Sequence, residues 1–395
     1  MLDAVDIAKP ASPDQALETL RTRLPTDFRR WADDNEARGH FPAEGFRTLH
    51  ELGLLHGAAS EESGGLGGTV RGTRPGFYLQ VMRALCNEDS AVGHCYQVHN
   101  HAVMRLEQFG TPWQIDNILR PAMSRYSVFA TVGAEPGRRS NKEPMKTTAS
   151  KVAGGWRVNG LKSFVTNGGH ADIIQTAVRI DPENNGGVEG ANFMLLIDGQ
   201  AEGISWVDDW YRPNGMKAAR SPLMKLDDVF VPDSHVMLPN PAREIETRWG
   251  TQIHLGFACN FLGSAEGLVN WYVDYARSRG MDAVPFTQVR TGKMRFRLQA
   301  ANALFEQAID SWRTRPVEEA EILSLSAKIF AAETASLLAT ETMAAAGATA
   351  QFEHLPFGRY LRNIHLHQVH MGFDRTAQIL GQATFGLDYD PTILR

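Results

Sequence analysis

The segment RNIHLHQVHMGFD, residues 362–374, carries the side chains whose types and spacing are best suited to chemistry. Its three histidines, His365, His367 and His370, fall within six residues and are followed by Asp374. In a continuous helix, His367, His370 and Asp374 share one face, where imidazole and carboxylate groups can bind zinc or iron or can transfer protons. The same histidines can equally be core side chains that hydrogen-bond to their neighbours. Spacing alone leaves these interpretations open.

Composition excludes several classes of protein. The chain has 395 residues with 40 Lys and Arg against 45 Asp and Glu, a net charge of −5, which argues against a general nucleic-acid binder or a polybasic membrane surface. The apolar stretch 331–350 is alanine-rich and contains Glu333 and Glu341, so it indicates a close-packed helix and no membrane role. Partners are expected to be small molecules or proteins.

The cysteines indicate a reducing compartment. Cys86, Cys95 and Cys259 are too few and too scattered for a disulfide framework or a thiolate metal site. The segment 1–15 contains acidic residues and prolines where a signal peptide needs a basic start and an apolar run. We therefore expect a cytoplasmic protein with no metal.

Periodicity predicts three regions that must position the histidines. Residues 1–122 are mostly helical, because DQALETLRTRLPTDFRRWADDNEARG and FPAEGFRTLHELGLL follow a helical period. Residues 123–238 alternate apolar and polar side chains between Gly and Asn turns, which is typical of antiparallel strands. Residues 239–395 return to the helical period over stretches long enough for a four-helix bundle. The predicted fold class is α+β, with the order helices, sheet, helices.

Four motifs in this order resemble the acyl-CoA dehydrogenase superfamily of flavoproteins. ESGGLGG at 62–68 resembles the family's glycine loop, and AEPGRRS at 134–140 resembles its TEPGAGS. GGWRVNGLKSFVTNGGHAD at 154–172 resembles the strand pair that faces the flavin. WYRPNGMKAARSPLMKLDDVFVP at 210–232 follows the pattern GMRATGS…FDDVxVP. The resemblance covers nearly the whole chain and implies the acyl-CoA dehydrogenase-like fold.

The resemblance implies a flavin between the β domain and the bundle. Phe164 is expected against the flavin ring and Thr166 near its N5 atom, with the backbone of Gly133 and Ala134 at the pyrimidine edge. Arg279 matches an arginine that family members extend to the cofactor pyrophosphate of a neighbouring subunit, which favours FAD, with FMN as the alternative. Gly347 is placed at the cofactor as well.

The base of the dehydrogenase reaction is missing. Where family members carry a glutamate that removes the substrate's α-proton, this chain has Met371, and a thioether has no usable basicity. A second position used by some members aligns with Ile253. The defining proton abstraction therefore has no carboxylate at either place.

The opening segment resembles instead the reduced-flavin monooxygenase branch, the dibenzothiophene monooxygenase-like enzymes with the form RNxxxHxxHxxxDW. The segment matches at Arg362, Asn363, His367, His370 and Asp374, whereas Arg375 departs from the Trp. His99 aligns with a histidine of that branch's flavin pocket.

The branch resemblance implies a reduced flavin that activates O2 as a C4a-hydroperoxide, with histidines for acid/base work. His370 and His99 are assigned as the acid/base or peroxide-stabilising groups, and His367 as the side chain that orients them. Thr166 is expected to form a hydrogen bond near the N5 atom of the flavin. Met371 and Asp374 are expected to line the substrate site, together with Ser140, which matches a family residue at the pantetheine arm.

The function predicted is a flavin-dependent monooxygenase acting on a small organic substrate, with a CoA thioester as one option. No nucleotide-binding βαβ unit is visible for NAD(P)H, so reduced flavin would come from a separate reductase, or the substrate would reduce the bound FAD. Two alternatives stay open: an acyl-CoA dehydrogenase or oxidase with an unusual base such as His370 or Glu266, and a catalytically silent flavin-binding scaffold. The resemblance implies a homotetramer.

Overall fold

The computed structural model describes residues 12–138, 143–187, 192–369 and 372–392, and its first part is helical. The helices are α1 (Pro13–Arg23), α2 (Arg29–Arg38), α3 (Ala43–Glu51), α4 (Phe77–Glu88), α5 (Ser90–Phe109), α6 (Pro112–Gln114) and α7 (Arg120–Met123). The Ser12 side chain accepts a hydrogen bond from the Gln15 N–H, and Pro13 takes a first-turn position that needs no amide donor. The α1 helix therefore begins where its capping residues predict.

A single sheet follows the helices. Its strands are β1 (Phe129–Val132), β2 (Thr148–Val152), β3 (Gly155–Lys162), β4 (Ile173–Ile180), β5 (Asn192–Asp198), β6 (Ile204–Val207), β7 (Leu223–Pro232) and β8 (Val236–Met237). The strand order is β6-β7-β3-β2-β4-β5-β8, and β1 pairs with β4 outside this path.

The prediction of an antiparallel sheet holds for most strand pairs and is wrong for two. Both β1 and β2 run parallel to β4, at Phe129–Val132 and at Thr148–Ala149 respectively. The two strands therefore lie end to end along one edge of β4, and the chain between them leaves the sheet and returns to the same edge. Alternation of apolar and polar side chains indicates which face of a strand is buried, but not whether its partner strand is parallel or antiparallel. The parallel pairing could therefore not be predicted from the sequence.

The last part is helical again, with α8 (Pro241–Thr247), α9 (Trp249–Ser278), α10 (Pro285–Thr314), α11 (Val317–Ala346), α12 (Phe357–Gln368) and α13 (Phe373–Thr384). Three long helices, α9, α10 and α11, pack together, and α12 and α13 pack against α11. By length and composition α11 is the one helix in the described ranges that could span a membrane, but 56% of its apolar window is buried inside the fold. It is a core helix.

Glycines let α9 cross the N-terminal helices at close range. A Cβ atom at Gly267 would overlap the carbonyl oxygen of Asn87, and one at Gly263 would lie 2.6 Å from Cys86 Cβ on α4. One at Gly256 would lie 2.9 Å from His101 Nε2 on α5. Backbone approach at these points is possible only without side chains, so α9 is the element that joins the bundle to the N-terminal helices.

We predict that Gly267→Ala lowers the free energy of unfolding by roughly 1–3 kcal/mol, because the added methyl group must displace the Asn87 backbone. The measurement is urea denaturation followed by circular dichroism. Gly292→Ala is the matched control: this glycine lies inside α10, and a Cβ atom placed on it would meet nothing within 4 Å, so alanine should add about 0.5–1 kcal/mol through helix propensity. Equal effects of the two substitutions would contradict the close-crossing account.

Candidate active site

The first wall of the candidate site is the turn that follows β1. Gly133 is exposed, and a Cβ atom placed on it would meet nothing within 4 Å. The carbonyl oxygen of Ala134 accepts a hydrogen bond of 3.0 Å from the Ser163 N–H. The two backbone positions predicted to meet a cofactor therefore lie at an open surface beside the end of β3.

A buried carboxylate fixes this turn to the sheet. Glu135 accepts hydrogen bonds from Lys162 Nζ at 2.8 Å, from the Thr147 N–H at 3.0 Å and from the Lys146 N–H at 2.7 Å. Burial alone would raise the pKa of Glu135, but these donors outweigh it and lower the pKa to about 2. The carboxylate stays ionised and holds the turn in one place.

The second wall is the loop after β3, and its backbone is strained. Phe164 and Asn167 both have left-handed backbone angles, with φ of 58° and 68°, which side chains other than glycine rarely adopt. Phe164 is nevertheless 51% exposed, and its ring meets the edge of Trp210 at a centroid distance of 4.8 Å. Strain that presents an exposed aromatic side chain is typical of ligand sites.

Thr166 lies behind this aromatic pair and joins three elements. Its hydroxyl lies 2.9 Å from Ser221 Oγ and 3.4 Å from Nε2 of His94 on α5. All three side chains are buried. The hydroxyl can therefore accept from one neighbour and donate to another, which is the property expected of a group beside a reacting nitrogen or oxygen atom.

Histidines from α5 and α12 meet at this point. His94 and His367 contact edge to face at a ring distance of 5.5 Å. The His367 ring also packs against Phe261 at 4.7 Å and Phe257 at 6.0 Å, both on α9. His367 is 1% exposed. Titratable groups thus face an apolar wall that excludes water.

The loop before β7 holds α12 in position. The Asn363 side-chain oxygen accepts a hydrogen bond of 2.6 Å from the Met216 N–H, and a Cβ atom at Gly215 would meet the Arg362 carbonyl group. Met216 has a left-handed φ of 52°. Arg362 and Asn363, which match the monooxygenase branch, therefore hold the helix that carries His367 in place. These contacts are structural and give no evidence of substrate binding.

The predicted role of His99 needs correction. Its Nδ1 accepts a hydrogen bond of 3.0 Å from the Phe129 N–H, so its Nε2 must carry the proton and donate to Nδ1 of His56 at 3.1 Å. His56 in turn donates to the Arg125 carbonyl at 3.4 Å. Burial lowers the pKa of His99 well below its usual value. Both nitrogens of a neutral ring are used inside the protein, so none is left for an acid/base step.

His94 is the α5 histidine that sequence reasoning missed. Five residues separate it from His99, which on a helix of 3.6 residues per turn is a rotation of about 140°. The two histidines therefore face different neighbours: His94 faces Thr166, and His99 faces β1. The helical period of α5 places His94, Gln97 and His101 on one face, and this pattern could have identified His94 from the sequence.

Residues 362–374 do not form one continuous helix. The α12 helix ends at Gln368 and α13 begins at Phe373 after Gly372, whose φ is 50°. Asp374 is exposed in the first turn of α13, so the shared face predicted for His367 and Asp374 is wrong. In the described ranges no three His, Cys, Asp or Glu side chains are grouped for metal binding.

Three predicted residues, Ser140, His370 and Met371, lie outside the described residues. Two others lie far along the bundle. Arg279 follows the last residue of α9, about 27 Å along the helix from Phe261, and its guanidinium lies 5.4 Å from the Tyr275 ring. Gly347 ends α11 with a left-handed φ of 76°. Both residues are exposed, and Arg279 cannot reach the site beside Phe261 of its own chain.

Helices, sheet and bundle around this site define the fold of a large class of flavin enzymes. Family models for the N-terminal, middle and C-terminal domains of acyl-CoA dehydrogenase match residues 13–125, 130–229 and 255–375. The chain belongs to the acyl-CoA dehydrogenase superfamily, and it is a flavin-dependent oxidoreductase.

Relatives come from two kinds of enzyme. Benzylmalonyl-CoA dehydrogenase of Aromatoleum aromaticum is 26% identical, covering 84% of this chain and 86% of the relative. Dibenzothiophene monooxygenase of Mycolicibacterium goodii is 24% identical, covering 87% and 88%. The solved structure of TdsC, a dibenzothiophene monooxygenase from Paenibacillus sp. A11-2, with FMN and indole superposes with a TM-score of 0.84 at 20% identity, over 96% of this chain and 99% of that one. At this identity the superposition shows the fold alone.

The residues present fit a flavin. Phe164 and Trp210 offer exposed aromatic faces to a flat ring system, and the turn at Gly133 leaves room for it. Thr166 offers a hydroxyl that can donate a hydrogen bond to an unprotonated ring nitrogen or accept one from a protonated ring nitrogen. An aromatic surface, an accessible backbone edge and a hydroxyl group are features that can bind an isoalloxazine ring.

The neutral state of the His56 and His99 pair gives a pH prediction. Burial lowers the pKa of His56 from about 6.5 to about 4, so below about pH 6.5 the unfolded chain binds a proton that the folded chain does not. Stability conferred by the neutral ring is present above about pH 6.5 and is lost as the pH falls towards about 4. Between about pH 7 and pH 5 the free energy of unfolding of the wild type should fall by about 2 kcal/mol more than that of His56→Gln.

Urea denaturation at the two pH values measures this difference. His365→Gln is the control, because His365 is exposed and its substitution should leave the wild-type pH dependence unchanged. The same loss in His56→Gln and in the wild type would show that the pair is not held neutral.

Proposed function

We propose that the protein is a flavin-dependent monooxygenase that transfers an oxygen atom from O2 to a small organic substrate. The observation that carries the proposal is the meeting of His94, Thr166 and His367 behind the aromatic pair at the flavin-binding face. Proton-transfer groups stand there, whereas the base positions of the dehydrogenases have no carboxylate. One of these positions is Ile253, which is 4% exposed, and the other is Met371.

A bound reduced flavin supplies the electrons that activate O2, and the side chains control what happens around it. Thr166 is held by Ser221 and can hydrogen-bond at the ring edge. His94 Nε2, 3.4 Å from that hydroxyl, can hold a proton and deliver it when oxygen is transferred. His367 orients His94, and Phe257 and Phe261 keep water away from the reacting atoms.

His370 remains part of the proposal on sequence grounds, as a second acid/base group three residues beyond His367 in the chain. Ser140, Met371 and Asp374 are the proposed substrate contacts, and Asp374 is exposed in the first turn of α13. A CoA thioester stays one option for the substrate.

The cofactor and the assembly belong to the same proposal. Arg279 lies too far along α9 from Phe261 to serve the flavin of its own chain, which supports a cofactor shared with a second subunit and a homotetramer built from such pairs. Gly347, at the end of α11, is proposed to meet the same shared cofactor. The family resemblance implies that Arg279 extends to the cofactor pyrophosphate of a neighbouring subunit, and such a contact would favour FAD over FMN. The proposed electron donor is a separate flavin reductase or the substrate itself, and the proposed location is the cytoplasm.

A dehydrogenase or oxidase with an unusual base is the second candidate, because several relatives carry dehydrogenase names. Glu266, weighed as one such base, forms an ion pair with Arg83 at 3.0 Å on the side of α9 that meets α4. This pairing supports a structural role for Glu266. The candidate then depends on His370 alone, and anaerobic flavin reduction by a series of acyl-CoA thioesters tests it.

We predict that His94→Ala accelerates H2O2 release from the protein loaded with reduced flavin and exposed to O2 by roughly tenfold to a hundredfold, because the proton-controlling group is lost. Flavin binding, measured by fluorescence quenching, should change little. His365→Ala, an exposed substitution on the same helix as His367, is the matched control and should release H2O2 at the wild-type rate. An unchanged rate in His94→Ala would remove His94 from the mechanism.

We predict that Arg279→Ala weakens FAD binding roughly tenfold to a hundredfold and leaves FMN binding nearly unchanged, because only FAD has a pyrophosphate for the guanidinium. Isothermal titration with each flavin measures both affinities. Arg277→Ala removes an exposed arginine two residues away, which pairs with Asp274 at 3.3 Å, and should affect neither flavin. Equal losses of FAD and FMN affinity in Arg279→Ala would contradict the assignment.

A further inference from the structure

A buried arginine fastens α12 to the start of α5. Arg359, in the first turn of α12, is 4% exposed. Its Nη1 atom donates to the Glu88 carbonyl at 2.6 Å and lies 3.9 Å from Asp89 Oδ1. Its Nε atom donates to Asp33 Oδ1 on α2 at 3.2 Å. One guanidinium therefore holds α12 against both α2 and the junction of α4 with α5.

The aspartate of this ion pair can change its charge near neutral pH. Asp89 is buried, its Oδ1 accepts a hydrogen bond of 2.9 Å from the Ala91 N–H, and its Oδ2 has no hydrogen-bond partner in the described ranges. The charged groups that face it are Arg359 on α12 and the carboxylates of Asp33 and Glu36 on α2. Burial raises the pKa of Asp89 to about 6, although the charge of Arg359 acts against it. Asp89 therefore takes up a proton in mildly acidic solution, and its attraction to Arg359 then weakens.

Neighbouring ion pairs do not provide the same link between α5 and α12. Glu88, the residue before this aspartate, pairs through both carboxylate oxygens with Arg29 on α2, at 2.9 Å each. Arg362 on α12 pairs with Glu36 on α2 at 3.3 Å, but its side chain is half-exposed and open to screening by solvent. The pair formed by Arg359 is buried on both sides and joins α12 directly to the first residue of the α5 cap.

Each end of the buried pair leads to the candidate active site. Asp89 is the N-cap of α5, and His94 follows after five residues, about 7.5 Å along the helix axis. Arg359 precedes His367 on α12 by eight residues, about 12 Å along that axis. His94 and His367 meet edge to face. The two helices are thus joined at two points, the ion pair and the histidine contact, and a shift at the first point changes the second.

We propose that Arg359 and Asp89 are positioning residues for the candidate active site, and that their ion pair sets the contact between His367 and His94. Protonation of Asp89 weakens the pair, so the two histidines are held together at neutral pH and are released in mild acid. An ion pair away from water is screened little by salt, so it can hold two helices at a fixed distance. The inference deepens the proposed function, because it rests on the role proposed there for the two histidines.

The test uses the full chain loaded with oxidised flavin and follows the absorption spectrum of the bound flavin from about pH 5 to about pH 8, the range in which buried carboxyl groups titrate. The flavin is expected beside Thr166, which His94 contacts at 3.4 Å, so a displacement of His94 changes its surroundings. We expect a spectral change in the wild type with a midpoint near pH 6. Asp89→Asn should lack this change, since asparagine keeps the helix cap but carries no charge.

Substitutions of the arginine separate positioning from packing. Arg359→Met removes the charge that favours ionised Asp89, so the midpoint should rise by roughly one pH unit or more. Arg359→Lys keeps the charge and should restore a midpoint close to that of the wild type. Arg38→Met is the matched control, because it removes an exposed arginine from α2, where it pairs with Asp34 at 3.0 Å, and should leave the midpoint unchanged.

The proposal is overturned if the flavin spectrum of the wild type does not titrate in this range, if Asp89→Asn titrates as the wild type does, or if Arg359→Met and Arg38→Met give the same midpoint. No reduced flavin is present, so these outcomes are independent of whether the flavin activates O2. A failure of the monooxygenase proposal appears instead in the reaction of the reduced flavin with O2.

Discussion

The side-chain amide of Asn167 is the interaction on which the site depends. Its Nδ2 group donates to the Cys95 carbonyl of α5 at 3.1 Å and to the Phe129 carbonyl of β1 at 2.9 Å, and the residue is fully buried in a left-handed conformation. One side chain therefore connects the N-terminal helices, the sheet and the strained loop. Losing it would remove one hydrogen bond from each of these two buried carbonyl groups, at a cost of about 0.5–1.5 kcal/mol each. Phe164 and Thr166 take their positions from this junction.

The two faces of α5 serve different purposes. One face carries His99, which is kept neutral by burial and uses both nitrogens to tie the helix to β1 and to His56. The other carries His94, which reaches Thr166 and the His367 ring. Glycines on α9 permit the close approach that brings Phe257 and Phe261 against the same histidine. All of these histidines are buried, so the two on α5 differ in the partners of their nitrogens, and the role in chemistry that we propose belongs to His94.

Much of the fold followed from the sequence because periodicity and turn residues are local properties. The helical first part, the sheet and the bundle were predicted, whereas the cofactor contacts expected of Gly133, Phe164 and Thr166 stay predictions. Errors arose where partners distant in sequence decide the outcome. The parallel pairing of β1 and β2 with β4 leaves no trace in side-chain alternation. Gly372 interrupts the helix that was assumed to align His367 with Asp374, and His99 was preferred to His94 because alignment does not report which face of α5 meets the loop.

The central claim is that this site supports oxygen activation by a reduced flavin. Stopped-flow absorbance of the protein loaded with chemically reduced FAD or FMN and mixed with oxygenated buffer tests it most directly. The account predicts a transient flavin spectrum, distinct from both the reduced and the oxidised forms, that persists for seconds because His94, His367 and the aromatic wall exclude water and control the proton. Immediate appearance of oxidised flavin with both cofactors, together with anaerobic reduction of the bound flavin by an acyl-CoA, would contradict the account and identify a dehydrogenase.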